Sequence, residues 1–321
     1  MRAMQVVEYG QVLELKDAVK PAPKSGEVLI RIEACALNFG DMLLIKGSYQ
    51  EKPSLPFTLG MEISGVVETV GEDVHGLQVG QRVVSYSGSG GLAEYIALPA
   101  QICLPIPDNM SFEHAAAFPV AYGTSHVALE YRARMQAGER LLVLGAAGGI
   151  GLTAVELGKL MGAEVIACAR GADRLAVAKA AGADHLIDSA TQDIREVVKS
   201  LGGADVVYDP IGGDQFKAAL RATNPDGRII PLGFASGEVP QIPANIILVK
   251  NLTIIGYYWG GYAKTNPKIL ADSFAKLLRW YAEGKIHPHV SHTLPLEQAN
   301  EALDLLRTRK ATGKVVVQIN G

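Results

Sequence analysis

Residues 141–151 read Leu141-Leu142-Val143-Leu144-Gly145-Ala146-Ala147-Gly148-Gly149-Ile150-Gly151, and the fold is decided there. The run Leu141 to Leu144 is wholly apolar, as a strand buried on both faces must be. Glycine then breaks it, and Leu152 to Met161 follows helical spacing. A strand that turns sharply into a helix presents bare backbone N–H groups and the positive helix end to an anion. The glycines have separable tasks. Gly145 eases the turn, Gly148 lets the backbone approach a pyrophosphate, and Gly151 lets the helix close on its strand. In the G-x-G-x-x-G register the first position is Ala146. A glycine pattern alone is weak, but here a strand precedes it, a helix follows, and Gly162 leads to a second apolar strand, Glu164 to Ala169. The expectation is a dinucleotide site built on Gly145, Ala147, Gly148, Gly149, Ile150 and Gly151.

The end of that second strand indicates which dinucleotide. An NAD site places an Asp or Glu there, about 20 residues on, to hold the ribose hydroxyls. This chain has Ala169 followed by Arg170, with Arg174 one helical turn later. Two arginines four apart can grip a 2′-phosphate as a fork. Ser189, after the third strand, could complete the pocket, and the reading is NADPH.

Outward from this centre the chain alternates strand and helix. Strands are expected at 185–188, 205–209, 228–232 and 252–256, with helices at 194–201 and 214–222. Repeated strand–helix units predict an open parallel sheet covered on both faces, with ligands bound off the carboxyl ends of its strands. Before it, residues 1 to about 118 are β-rich, with short strands and frequent turn residues that suggest a small irregular barrel. One helix is expected near 112–133, others around 270–283 and 296–308. The last strand, Lys314 to Ile319, has no sheet of its own and is expected to return to the N-terminal part.

Composition narrows the class. The 321 residues are 48% hydrophobic, enough for a large core and two domains. A net charge of −3 offers no electrostatic case for nucleic acid. Three scattered cysteines, Cys35, Cys103 and Cys168, argue against a disulfide framework and fit a reducing compartment. Neither a secretory pattern near Met1 nor an apolar run of about 18 residues is found, so a cytoplasmic protein without a membrane partner is expected. Ser87-Gly88-Ser89-Gly90 is not a hydrolase elbow.

The order of motifs resembles the zinc-free quinone oxidoreductases, zeta-crystallin-like, of the medium-chain dehydrogenase/reductase superfamily. Asn38-Phe39-Gly40-Asp41, Gly47-Ser48-Tyr49 and Pro56-Phe57-Thr58-Leu59-Gly60-Met61-Glu62 carry the resemblance. So do Ala121-Tyr122-Gly123-Thr124, Ala180 to Asp184, Asp209-Pro210-Ile211-Gly212-Gly213 and Thr312 to Val316. Gly256 to Gly260 and Ile286-His287-Pro288-His289 look most like the quinone oxidoreductase-like branch. The resemblance implies an α/β fold, a Rossmann doubly wound parallel sheet (121–259) inserted in a β-rich, GroES-like, partly open barrel (1–120 plus 260–321). It also implies a homodimer, to which the strand near 252–259 could add a sheet edge.

Zinc-dependent relatives take a thiolate at the position of Asn38 and an imidazole at that of Met61, so no metal is expected. His287-x-His289-x-x-His292 is read as ordinary tail histidines. Without a Lewis acid, alcohol oxidation is disfavoured, while a quinone or conjugated enone can still take a nicotinamide hydride. The resemblance implies that Asn38, Asp41 and Tyr49 line the substrate side. Tyr49 would donate a proton, Asn38 would hydrogen-bond the acceptor oxygen, and Asp41 would hold neighbours in place or merely cap the following segment. Thr124 would meet the nicotinamide carboxamide, Phe234, Tyr258 and Trp259 would wall its cleft, and Lys314 would lie near the cofactor or in solvent. Two other readings stay open: an enoyl-thioester or enone reductase, and an NADPH-binding sensor or structural protein without turnover.

Overall fold

The structure, a computed structural model, describes residues 1–320. The chain divides into two units, Met1–Val120 with Tyr281–Glu283 and His287 onward, and Ala121–Trp280 with Gly284–Ile286.

In the first unit the strands are β1 (Arg2–Val6), β2 (Glu14–Asp17), β3 (Glu27–Leu37), β4 (Phe57–Thr58), β5 (Glu62–Val70), β6 (Arg82–Tyr86), β7 (Tyr95–Pro99) and β8 (Cys103–Pro105). Helix α1 (Phe39–Ile45) follows β3, and α2 (Phe112–Ala116) follows β8. The eleven-residue β3 organises the unit. Val28, Ile30 and Ile32 face the main core; after a bulge between Ile32 and Ala34 the inward set becomes Cys35 and Leu37. One extra residue reverses which side chains face inward, because side chains alternate along a strand. The small Ala34 and Ala36 then face away from that core, where Ala116 of α2 and the following Ala117 pack against them.

The second unit contains the alternation expected from the sequence. It runs α3 (Pro119–His126), β9 (Arg140–Leu144), α4 (Gly149–Leu160), β10 (Glu164–Ala169), α5 (Ala172–Ala180), β11 (His185–Asp188), α6 (Ile194–Ser200), β12 (Ala204–Asp209), α7 (Gly213–Ala222), β13 (Thr223–Pro231), α8 (Ala244–Lys250) and β14 (Thr253–Ile254). All six strands are parallel, in the order β11-β10-β9-β12-β13-β14. Strand order therefore switches direction between β9 and β12, which places the Gly145 turn at the ligand-binding crevice of such sheets. Leu142, Leu144, Ile166, Val207 and Ile229 are fully buried between the helical layers.

The tail adds α9 (Tyr262–Thr265), α10 (Pro267–Ala282), β15 (Val290–Pro295), α11 (Ala299–Arg307) and β16 (Lys314–Gln318). As anticipated, the last strand finds its sheet in the first unit, where β16 runs antiparallel to the end of β3 and parallel to β15. Two differences have local causes. The helix expected over 112–133 is broken at Ala117–Phe118, before Pro119, and ends in a wider π-type turn over Val127–Arg132. The 252–256 strand pairs over two residues only, before a glycine and two aromatics. The expected boundary at 260 also moves, because most of α10 belongs to the second unit. There its Phe274 packs edge-on to Trp259, and Ser273 hydrogen-bonds His126 at 2.9 Å. No helix of the described residues is long and apolar enough to cross a membrane.

Candidate active site

In the second unit the glycine turn has the geometry its sequence requires. Gly145 has φ +61°, a left-handed conformation that side chains rarely adopt. A Cβ on Gly151 would lie 2.2 Å from the Gly145 carbonyl oxygen, so only glycine lets α4 come this close to β9. Gly148 differs: it is exposed, and a Cβ there would meet only the Gly145 oxygen, at an ordinary 3.4 Å. It is the N-cap of the twelve-residue α4 and contributes no side-chain cap. The first-turn N–H groups of a helix have no intrahelical partner, so those at Gly149, Ile150 and Gly151 are available to an anion. Ala147 is buried and shapes the turn. The cradle fits a pyrophosphate.

Behind it stands a residue that the motif reading quoted without giving it a role. Asp209, at the end of β12, accepts the N–H groups of Ile211 (2.7 Å) and Gly212 (2.9 Å). This ties down the turn whose Ile211 side chain abuts Gly145. Burial raises its carboxyl pKa, and the two N–H bonds oppose that. The signal was an Asx turn in Asp209-Pro210-Ile211-Gly212.

Arg170, Arg174 and Ser189 come together at the ends of β10 and β11. The Ser189 N–H donates to the Ala169 carbonyl (2.9 Å), and Arg174 reaches back to the Arg170 carbonyl (3.3 Å). No carboxylate ends β10, yet one ends its neighbour: Asp188 accepts from the N–H of Gly171 and of Ala190, both at 3.0 Å. Those bonds and the Arg170 charge hold its pKa below the usual carboxylate range. Thr124 is nearly buried, its carbonyl accepting from the Tyr257 hydroxyl at 3.0 Å. Phe234 (39% exposed) and Tyr258 (40%) are open on their loops, whereas Trp259 (6%) packs over Gly123 and is core.

In the first unit Asn38, Asp41 and Tyr49 lie together. A Cβ on Gly40 would touch the Met61 thioether and, at 3.3 Å, the Tyr49 ring. Asp41 is fully buried and accepts the Asn38 N–H at 2.8 Å. Its place is the cap of α1, one of the two tasks expected of it. Burial raises its carboxyl to about 7, against the lowering effects of the Asn38 N–H and of Lys314.

Of the two alternatives for Lys314, the solvent one is excluded. Its ammonium is buried and donates to the Leu37 carbonyl (2.9 Å), Asn38 Oδ1 (2.7 Å) and Glu62 Oε1 (2.6 Å). Glu62, which the sequence reading did not single out, also accepts from Asn38 Nδ2 (2.8 Å) and the Val120 N–H (2.7 Å). The ion pair is buried on both sides, 6% and 0% exposed. Removing one partner would strand the other charge, at ~3–5 kcal/mol. Among the described residues no three of His, Cys, Asp and Glu gather to hold a metal. His289 bonds the Thr312 hydroxyl and His292 the Ser291 hydroxyl.

Residues 24–108 match the alcohol dehydrogenase GroES-like domain, and residues 149–282 the zinc-binding dehydrogenase family. A quinone oxidoreductase-like protein 2 homolog from Nematostella vectensis is 41% identical, with 98% of this chain and 88% of that protein covered. The chain belongs to the medium-chain dehydrogenase/reductase superfamily, among its quinone oxidoreductase-like members. Two solved structures of such oxidoreductases support the assignment. The quinone oxidoreductase from Thermus thermophilus, solved also with NADPH, has a TM-score of 0.88 at 33% identity and covers 99% of this chain and all of its own. The Escherichia coli quinone oxidoreductase complexed with NADPH gives 0.91 at 28% identity, with 99% and 100% covered. This medium-chain reductase is an α/β oxidoreductase with a GroES-like N-terminal part and a Rossmann-like sheet.

Proposed function

We propose that the chain transfers a hydride from NADPH to a quinone or a similarly electron-poor conjugated carbonyl, without a metal. The observation that carries the reading is the exposed glycine elbow at Gly148 with Arg170, Arg174 and Ser189 gathered at neighbouring strand ends. When bound, NADPH supplies the hydride. The α4 N-terminus holds its pyrophosphate, and the two arginines with Ser189 hold the 2′-phosphate. Thr124, Phe234 and Tyr258 are assigned to the nicotinamide end, and Trp259 to the packing behind it. On the first unit, Asn38 donates an amide hydrogen to the acceptor oxygen as negative charge grows there, and Tyr49 supplies a proton. Asn38 and Met61, an amide and a thioether, stand where zinc-dependent relatives carry a thiolate and an imidazole, which supports the metal-free route. Three free, buried cysteines support a reducing, cytoplasmic setting.

The test is NADPH and NADH oxidation by the purified protein with an ortho-quinone, a simple enone and crotonyl-CoA, with and without a chelator. Turnover is expected with the quinone, unchanged by chelation. Turnover confined to the thioester would make it an enoyl-thioester reductase instead. Bound NADPH with no turnover at all would favour a sensor, and loss on chelation would end the metal-free claim.

A further inference from the structure

The ion pair between Lys314 and Glu62 does more geometric work than a fold contact needs. An ammonium can only donate and a carboxylate can only accept. Lys314 takes Asn38 Oδ1 at 2.7 Å, and Glu62 takes one Nδ2 hydrogen at 2.8 Å. The orientation of the Asn38 amide, usually free to flip, is therefore dictated at both ends by charge. Its other Nδ2 hydrogen reaches only the Ala36 carbonyl, at 3.4 Å, the outer limit of a hydrogen bond. Asn38 is partly exposed, while both charges that hold it are buried. A better-placed acceptor can thus draw that hydrogen from Ala36 at little cost.

We propose that Lys314 and Glu62 are positioning residues that fix the Asn38 amide so that it offers an N–H, and not its oxygen, to the oxygen of the acceptor. This rests on the placement of Asn38 at the acceptor. The Asn38 oxygen is turned to the Lys314 ammonium, which leaves the Nδ2 hydrogen as the group this side chain presents. Glu62 Oε1 takes hydrogens from both Lys314 and Asn38, and Oε2 takes the Val120 N–H. All three ammonium hydrogens of Lys314 have protein acceptors. The pair is a closed unit whose one outlet is the amide.

The experiment is a double-mutant cycle on quinone turnover with saturating NADPH, using Asn38→Ala, Lys314→Met and the combination. Asn38→Ala and Lys314→Met are each expected to lower kcat on the order of 100-fold, as a misplaced reacting group does, while NADPH affinity stays constant. In the Asn38→Ala background Lys314→Met should cost nothing further. Multiplying losses would overturn the proposal, because Lys314 would then act other than through Asn38. An unimpaired Lys314→Met beside an impaired Asn38→Ala would also overturn it, leaving the quinone reading intact. Full activity in Asn38→Ala would instead remove Asn38 from the acceptor and defeat the reading beneath it. If Lys314→Met does not fold, Lys314→Met/Glu62→Gln, with both charges neutralised, takes its place in the same cycle. Asn38→Asp, which cannot donate, should be as impaired as Asn38→Ala; wild-type kcat there would refute the donor role.

Discussion

Asp41 joins a cap and a titration in one side chain. Its carboxyl protonates at about 7 in the folded chain, against an ordinary 3.8, because burial penalises the charge. Between about pH 4 and about pH 7 the folded state holds a proton that the unfolded state has released, so stability falls as pH rises through that window and levels above it. The loss is about 4 kcal/mol at most, at roughly 1.4 kcal/mol per pKa unit. In Asp41→Asn the amide oxygen still accepts the Asn38 N–H but nothing titrates. Urea unfolding across that pH range should therefore give a flatter profile, and an unchanged slope would assign the decline to another group. At the other ligand site, Arg170→Ala with Arg174→Ala should weaken NADPH by about 10- to 100-fold, the worth of one or two charge-assisted bonds, and leave NADH little changed. Equal weakening in a fluorescence titration of both nucleotides would refute the 2′-phosphate assignment. Asp188 makes this a demanding test, since its charge already sits beside Arg170.

Two glycines three residues apart predict opposite outcomes for one added methyl. Gly151→Ala drives a carbon to 2.2 Å from a backbone oxygen that cannot move without lifting α4 off β9, so loss of soluble, folded protein is expected. Gly148→Ala meets nothing closer than 3.4 Å and keeps an extended conformation open to alanine. Its melting temperature should stay close to wild type while nucleotide affinity drops, because the methyl takes the place of the pyrophosphate; unchanged affinity would move the phosphate elsewhere. The strand–turn–helix elements around these glycines were legible in the sequence because apolar period and glycine position depend on nearby residues alone. Less legible was what depends on distant partners. Glu62 closes a motif but shows no task of its own until β16 brings Lys314 to it, 252 positions away. Asp188 was hidden for a similar reason: its service to Gly171 crosses from one parallel strand to the next. The break at Ala117–Phe118 was missed because Pro119 suits a helix start as well as it spoils a helix interior.

At the scale of the whole molecule, the two-part organisation followed from where the strand–helix alternation starts, and the return of the last strand from its having no neighbour. The tail boundary was misjudged because α10 is amphipathic, and amphipathicity does not say which core it joins. The sheet ends at the short β14, beside which α8 exposes Leu248 (75%) and Val249 (73%). Apolar side chains this open next to an unpaired strand edge are suited to a second copy of the chain. Sedimentation equilibrium should find a dimer, and Leu248→Asp with Val249→Asp should yield a monomer of unchanged helicity. A wild-type monomer would leave that surface without its proposed partner.

The long reach from Asn38 to Lys314 has a consequence for the order in which the protein is made. A ribosome delivers Asn38 and Glu62 first, then the whole of β9 to β14, and the lysine only after them. Until then Glu62 has no ammonium to meet, and the first unit lacks the two strands that complete its sheet. The parallel sheet, whose strands are contiguous in the chain, can be finished before β16 is made. A polypeptide without β16 would therefore keep every strand of the parallel sheet while Glu62, 0% exposed, stood without its ammonium.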